Sequence, residues 1–148
     1  EFIRELPKLE MEDNSYSNPW AKLFKKELFR TIRFPKGKLI EDTRTNIKLF
    51  LESSSLVYIN KCLYFYRIRG GSVMQTITEK LLEDVLDTLV ERLCLVTMKG
   101  LYSNIYKETL LGSLEFRSYQ AYTCGLEDTE IYRRYQEMIY LIKKMDEK

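Results

Sequence analysis

The chain has 148 residues, of which 45% are hydrophobic and 31% charged, with a formal net charge of +2. That balance excludes a disordered polyelectrolyte and fits one compact unit or two. No histidine is present, which excludes Ser-His-Asp and Cys-His catalysis and a His-liganded zinc, and leaves proton transfer to carboxylates, Tyr, Lys or Cys.

Cys62, Cys94 and Cys124 are odd in number, far apart and without a Cys-x-x-Cys pair. Reduced, mostly buried thiols are expected instead of a disulfide framework or a thiolate metal site. No apolar run reaches the roughly 20 residues that cross a bilayer, and no signal-peptide core opens the chain. A soluble, cytoplasmic protein is the expectation. The eleven Tyr and seven Phe suit half-buried positions as well as they suit apolar platforms for sugar rings.

In chain order, residues Glu1 to Leu9 read as the tail of a helix, with Phe2, Ile3, Leu6 and Leu9 on one side despite Pro7. Glu10 to Pro19 is loop chemistry. Trp20 to Arg30 reads as a short amphipathic helix with Leu23, Phe24 and Leu28 turned inward. Lys22, Lys25, Lys26, Arg30, Arg33, Lys36 and Lys38 stand there against Glu27 alone. Such a patch serves as a solvated face, or meets a nucleic acid, a nucleotide diphosphate or an anionic acceptor.

Pro35 and Gly37 set the turns of the next loop, which delivers Glu41 and Asp42 to a segment, Thr43 to Glu52, whose Ile47, Phe50 and Leu51 recur at helical spacing. A carboxylate placed there accepts hydrogen bonds from free backbone N–H groups at the positive end of the helix dipole, so Asp42 serves equally as a plain N-cap worth about 1 kcal/mol. The Glu-Asp dipeptide also occurs at Glu12-Asp13, Glu83-Asp84 and Glu127-Asp128. The pair alone therefore decides nothing.

After Ser53-Ser54-Ser55, the runs Leu56 to Ile59 and Cys62 to Arg67 read as two short strands, forming a hairpin or joining a larger sheet. Arg67, Arg69, Gly70, Gly71 and Ser72 follow. Guanidinium groups with adjacent glycines suit an oxyanion, and a turn with two surface arginines is the plainer alternative. Three helices are predicted beyond: Glu79 to Met98 ended by Gly100, Tyr106 to Thr123, and one from Glu127-Asp128-Thr129 to about Met145. The expected class is α+β, predominantly helical, with a short β-hairpin or small sheet followed by a C-terminal bundle of about three helices.

Three ordered blocks carry a resemblance: Asn18-Pro-Trp-Ala-Lys-Leu-Phe to Phe29, Ile32-Arg-Phe-Pro-Lys-Gly-Lys-Leu-Ile-Glu-Asp42, and Val57 to Met74 with Leu-Tyr-Phe-Tyr-Arg-Ile-Arg. Together they resemble the second half of bacterial family 2 glycosyltransferases of the GT-A fold. The resemblance implies a fragment of an α/β fold, with residues 1–76 the acceptor side of the catalytic domain and 77–148 a C-terminal helical domain. By the same resemblance Asp42 is the general base of an inverting transfer from a nucleotide sugar to a glycan or lipid-linked acceptor, in surface polysaccharide or glycoconjugate synthesis. Glu41 supports it. Trp20 and Lys22 border the acceptor, while Arg67, Arg69 and Ser72 border the diphosphate.

A Mg or Mn ion is implied for the complete enzyme, with ligands outside this chain. The Asp-x-Asp that holds it in the family is absent, and Glu10-Met-Glu-Asp13 follows a helical pattern where a β-rich run is required. A fragment inactive by itself is expected, with peripheral membrane or homo-oligomer contact through the C-terminal helices. Two other readings stand beside it: a non-catalytic helical protein-interaction module, and a basic nucleic-acid-binding domain centred on Lys22 to Lys38. The lack of any helix-turn-helix, zinc or RRM pattern weighs against the second.

Overall fold

The computed structural model describes residues 2–67 and 76–144. Five α-helices account for its regular structure: α1 Phe2–Glu12, α2 Glu41–Glu52, α3 Glu79–Met98, α4 Asn104–Thr123 and α5 Glu130–Lys144. Short 3-10 turns at Asn14–Ser17 and Lys26–Arg30 break the long connection between α1 and α2.

Helices α3 to α5 follow from local chemistry. The Thr78 hydroxyl accepts the Leu81 N–H and so caps α3. Gly100 and Gly125 take left-handed conformations at φ +65° and +73°, and the Leu101 and Leu126 N–H groups reach back five residues to the Val96 and Ala121 carbonyls. These are glycine stops that side chains with a Cβ adopt at a cost. Leu82, Leu86, Leu110, Leu114, Ile131 and Tyr135 interlock the three helices in one apolar core.

A second core joins Leu6 of α1 to Ile47 and Phe50 of α2, with Phe2, Phe24 and Leu95 of α3 packed against it. Helix α1 carries Pro7, which has no N–H and leaves the Ile3 carbonyl without its helical donor. The Tyr106 hydroxyl of α4 donates to that carbonyl at 2.6 Å. One side chain thus repairs the defect and ties the first helix to the fourth.

Several expectations are corrected. The α+β class does not hold, because the described residues contain no strand. A strand exists only where a neighbour takes its N–H and C=O groups, and the β-rich runs find none. Val57 and Phe65 are 83% and 88% exposed, and the Lys61 N–H bonds only as far back as the Ile59 carbonyl.

The helix expected over Trp20 to Arg30 is also missing, save for the 3-10 turn at its end, and Leu23 is 104% exposed. Ala21 takes a left-handed φ of 55°, which ends any helical run at its start. The open path carries Phe24 to Phe29 and Phe50, with ring centroids at 6.0 and 6.3 Å. All three cysteines are exposed, not buried.

Candidate functional site

The loop before α2 is anchored from below by a buried acid. Asp84 of α3 is 1% exposed. Its carboxylate takes an ion pair from Lys38 at 2.8 Å, another from Lys80 at 2.9 Å, and the Leu39 N–H at 3.0 Å. Burial by itself raises the pKa of this carboxyl, but the Lys38 and Lys80 hydrogen bonds and the Leu39 N–H outweigh it and hold the value down at about 2. Lys38 also meets Asp87 at 3.0 Å. The loop is thereby fixed where it hands the chain to α2.

Helix α2 is fixed in turn. Arg44 and Lys48 both pair with Glu91 of α3, the lysine at 2.7 Å. Asn46, 1% exposed, donates to the Ser17 carbonyl at 2.7 Å. Glu41 and Asp42 form the first turn of the helix, which starts two residues before the expected Thr43, with Ile40 at the cap position. Asp42 is therefore not the N-cap. Its Oδ1 accepts the Thr43 N–H at 2.7 Å, which sets the carboxylate's orientation.

Above this turn lies a cleft of about 750 Å³ walled by α1, α3, α4 and the loops around Trp20 and Leu39. Trp20, Glu41, Asp42 and Tyr66 all line it. The Trp20 ring stacks on Tyr64 and Tyr66, with centroids 4.9 and 5.1 Å away and planes within 12° and 23°. Tyr64 and Tyr66 are two residues apart, the spacing that puts alternate side chains on one side of an extended chain. The indole is one layer of an aromatic stack on the cleft.

The far wall mixes apolar side chains, Val85, Leu89, Leu93 and Leu110, with polar ones. Arg92 of α3 pairs with Glu10 of α1 at 2.6 Å and lies over the Tyr106 ring, 5.5 Å from its centroid. The Ser17 hydroxyl donates to the other oxygen of Glu10 at 3.0 Å. Thr88, Thr109, Ser113 and Arg117 complete that side.

Other predicted site residues fall elsewhere. Lys22 stands behind the rim, donating to the Asn18 carbonyl at 2.6 Å. Burial pulls its pKa down, against Asp13 and Glu10, which favour the charged form. Arg67 is exposed beside Tyr66 and does not line the cleft. Arg69 and Ser72 lie outside the described residues. Among the described residues no group of three or more His, Cys, Asp or Glu is placed to hold a metal ion.

Sequence reasoning passed over Asp84, Glu10 and Arg92. For Asp84 a signal existed, because it sits at helical spacing from Leu81 and Thr88, which are buried with it. An acid on a face that is otherwise going inside needs cationic partners. Glu10 and Arg92 are 82 positions apart, and no local pattern relates them.

Fold and site define a helical chain that sets two carboxylates and an aromatic stack on one cleft. The chain is 34% identical over 136 residues, 92% of its length, to the glycosyltransferase GlyA of Streptococcus pneumoniae serotype 4. It is 30% identical over 116 residues, 78% of its length, to the glycosyltransferase GlyG of the same organism. It spans 20% of the length of the first and 38% of the second. No protein-family model matches it, and no solved structure does. No helix among the described residues is long and apolar enough to cross a membrane.

Proposed function

We propose that the chain is the acceptor-side portion of a glycosyltransferase that moves a sugar from a nucleotide-sugar donor to a glycan or lipid-linked acceptor. The observation that carries this reading is the gathering of Trp20, Glu41 and Asp42 on one cleft in a chain related to glycosyltransferases over 92% of its length. Residues 1–76 supply the reacting wall, and residues 77–148 support it as a helical domain.

In this reading Asp42 takes the proton of the acceptor hydroxyl as that oxygen attacks the anomeric carbon. The bond from that carbon to the nucleoside diphosphate breaks with inversion, and the diphosphate leaves with the electron pair. The Thr43 N–H holds Oδ1, which assigns Oδ2 to the acceptor proton. Glu41 orients the acceptor, the Trp20 stack flanks its ring face, and Lys22 stands close behind. Arg67, Arg69 and Ser72 meet the departing diphosphate.

The test is Asp42→Asn in the longest form of the chain that transfers sugar. The turnover should fall by about 10²- to 10⁴-fold, the usual contribution of a positioned base. Asp128→Asn, at the exposed Glu-Asp dipeptide before α5, should leave the rate unchanged. Near-wild-type turnover of Asp42→Asn would reduce the pair to a helix start.

A further inference from the structure

The first half of α2 has no apolar grip on the molecule. Its residues from Glu41 to Asn46 are all polar, and the first hydrophobic side chain, Ile47, goes with Phe50 into the core shared with α1. Hydrophobic packing of their own turn therefore does not place Glu41 and Asp42. What brackets them is charge. Ahead of the pair, Lys38 meets Asp84 and Asp87 of α3 at 2.8 and 3.0 Å, and the Leu39 N–H adds a bond to Asp84 at 3.0 Å. Behind it, Arg44 and Lys48 both close on Glu91.

Asp84, Asp87 and Glu91 follow one another by three and four residues, which sets them in one line along α3. That line holds the chain on both sides of Asp42. Asp84, 1% exposed, has given up its hydration to take part. Apolar side chains of the same volume would hold two helices together as firmly. Charge-assisted hydrogen bonds add direction, so they fix a register where an apolar contact lets one helix slide on another.

We propose that Asp84 and Glu91 are positioning residues for the carboxylate of Asp42, acting from the helical half of the chain on the reacting half. The assignment rests on the transferase reading, in which Asp42 receives the acceptor proton. Neither residue lines the cleft, so each acts through the turn it holds and not on a substrate. Residues 77–148 then set the rate of a reaction whose groups lie in residues 1–76. A base misplaced by about 1 Å forfeits up to about 10²-fold in rate.

The experiment compares Asp84→Asn, Glu91→Gln and Lys80→Met in the longest form of the chain that transfers sugar, at a temperature where circular dichroism shows each to be folded. Asp84→Asn and Glu91→Gln should lower kcat and kcat/KM together by about 10- to 100-fold, as when an interaction of the transition state is lost. Lys80→Met should change neither. Lys80 meets the same Asp84 oxygen at 2.9 Å, but from its own helix one turn away, so its removal leaves the loop tied. Glu91 is half-buried, and its variant carries the test if Asp84→Asn folds poorly.

A double-mutant cycle with Asp42→Asn separates positioning from folding. Added to Asp42→Asn, Asp84→Asn should cost little more, whereas a loss of folded protein would multiply the rate loss equally in both backgrounds. In the chain itself, amide exchange at Leu39 and Thr43 should quicken in Asp84→Asn while the amides of α4 keep their protection. Unchanged kcat in a folded Asp84→Asn, a loss in Lys80→Met as large as in Asp84→Asn, or equal losses in the two backgrounds would overturn the proposal and leave Asp42 as the base. Near-wild-type turnover of Asp42→Asn would instead remove the transferase reading and this one with it, so the two failures are told apart.

Discussion

At the scale of single residues, the chain spends its buried charge on placing the α2 start. Asp84 is the centre of that arrangement, collecting Lys38, Lys80 and the Leu39 N–H. Its pKa is depressed from 3.8 to about 2 on folding. A depressed carboxyl contributes stability that is complete above the unfolded value and drains away as pH falls through the folded one. Stability should therefore decline between about pH 4 and pH 2, by roughly 1–2 kcal/mol after a discount for solvent screening. Asp84→Asn should remove most of that slope while lowering stability at pH 7, as urea unfolding at a series of pH values will show. An unchanged slope in the variant would assign the acid sensitivity to other carboxylates. The sequence displayed Glu41-Asp42 plainly, because the pair precedes a helical pattern. Asp84 was harder to see, since of its partners only Lys80 is local, the Leu39 N–H lies 45 residues upstream with Lys38 beside it, and burial is not written in any one residue.

At the scale of elements, legibility followed how locally each element is determined. Helix α3 runs over Glu79–Met98, the span its apolar spacing and Gly100 predict, and α4 begins two residues before its predicted start. Those helices satisfy their own backbone, so their periodicity is enough. The runs at 56–59 and 62–67 require another strand to become a sheet, and propensity alone cannot supply one. The stretch from Trp20 to Arg30 failed for a different reason. Its three apolar residues fit a helical stripe, but Phe24 gains more by reaching Phe29 and Phe50 across the chain.

The two outcomes can be separated by stability. Leu114, 0% exposed in the core of α3, α4 and α5, should lose about 2–5 kcal/mol on truncation to Ala. Leu23→Ala should change stability by less than about 0.5 kcal/mol, as at an ordinary surface position. A large loss in Leu23→Ala would restore the inward-facing helix that the pattern suggested. Denaturant midpoints of the two variants decide it.

At the scale of the whole molecule, the α1–α2 core and the α3–α5 core have to be held in one relation for the cleft to exist, because its walls come from both. Leu95 of α3 reaches the first core, and the Glu10–Arg92 pair crosses from α1 to α3. Among the described residues the longest-range tie is the hydrogen bond from Tyr106 to the Ile3 carbonyl. It exists because Pro7 vacates that carbonyl, so the proline and the tyrosine form one device although they lie on different helices. Tyr106→Phe keeps the ring under Arg92 and removes only the donor. The Ile3 carbonyl would then have neither its helical nor its tertiary partner, at a cost of about 1–3 kcal/mol. In a Pro7→Ala background the new Ala N–H can bond the Ile3 carbonyl within the helix, and the same Tyr106→Phe change should then cost less than about 0.5 kcal/mol. The coupling between the two substitutions in a double-mutant cycle measures the device directly. Equal costs of Tyr106→Phe in both backgrounds would mean that Tyr106 stabilises the molecule through its ring and its contact with Arg92, and that α1 is positioned by the Glu10–Arg92 pair instead.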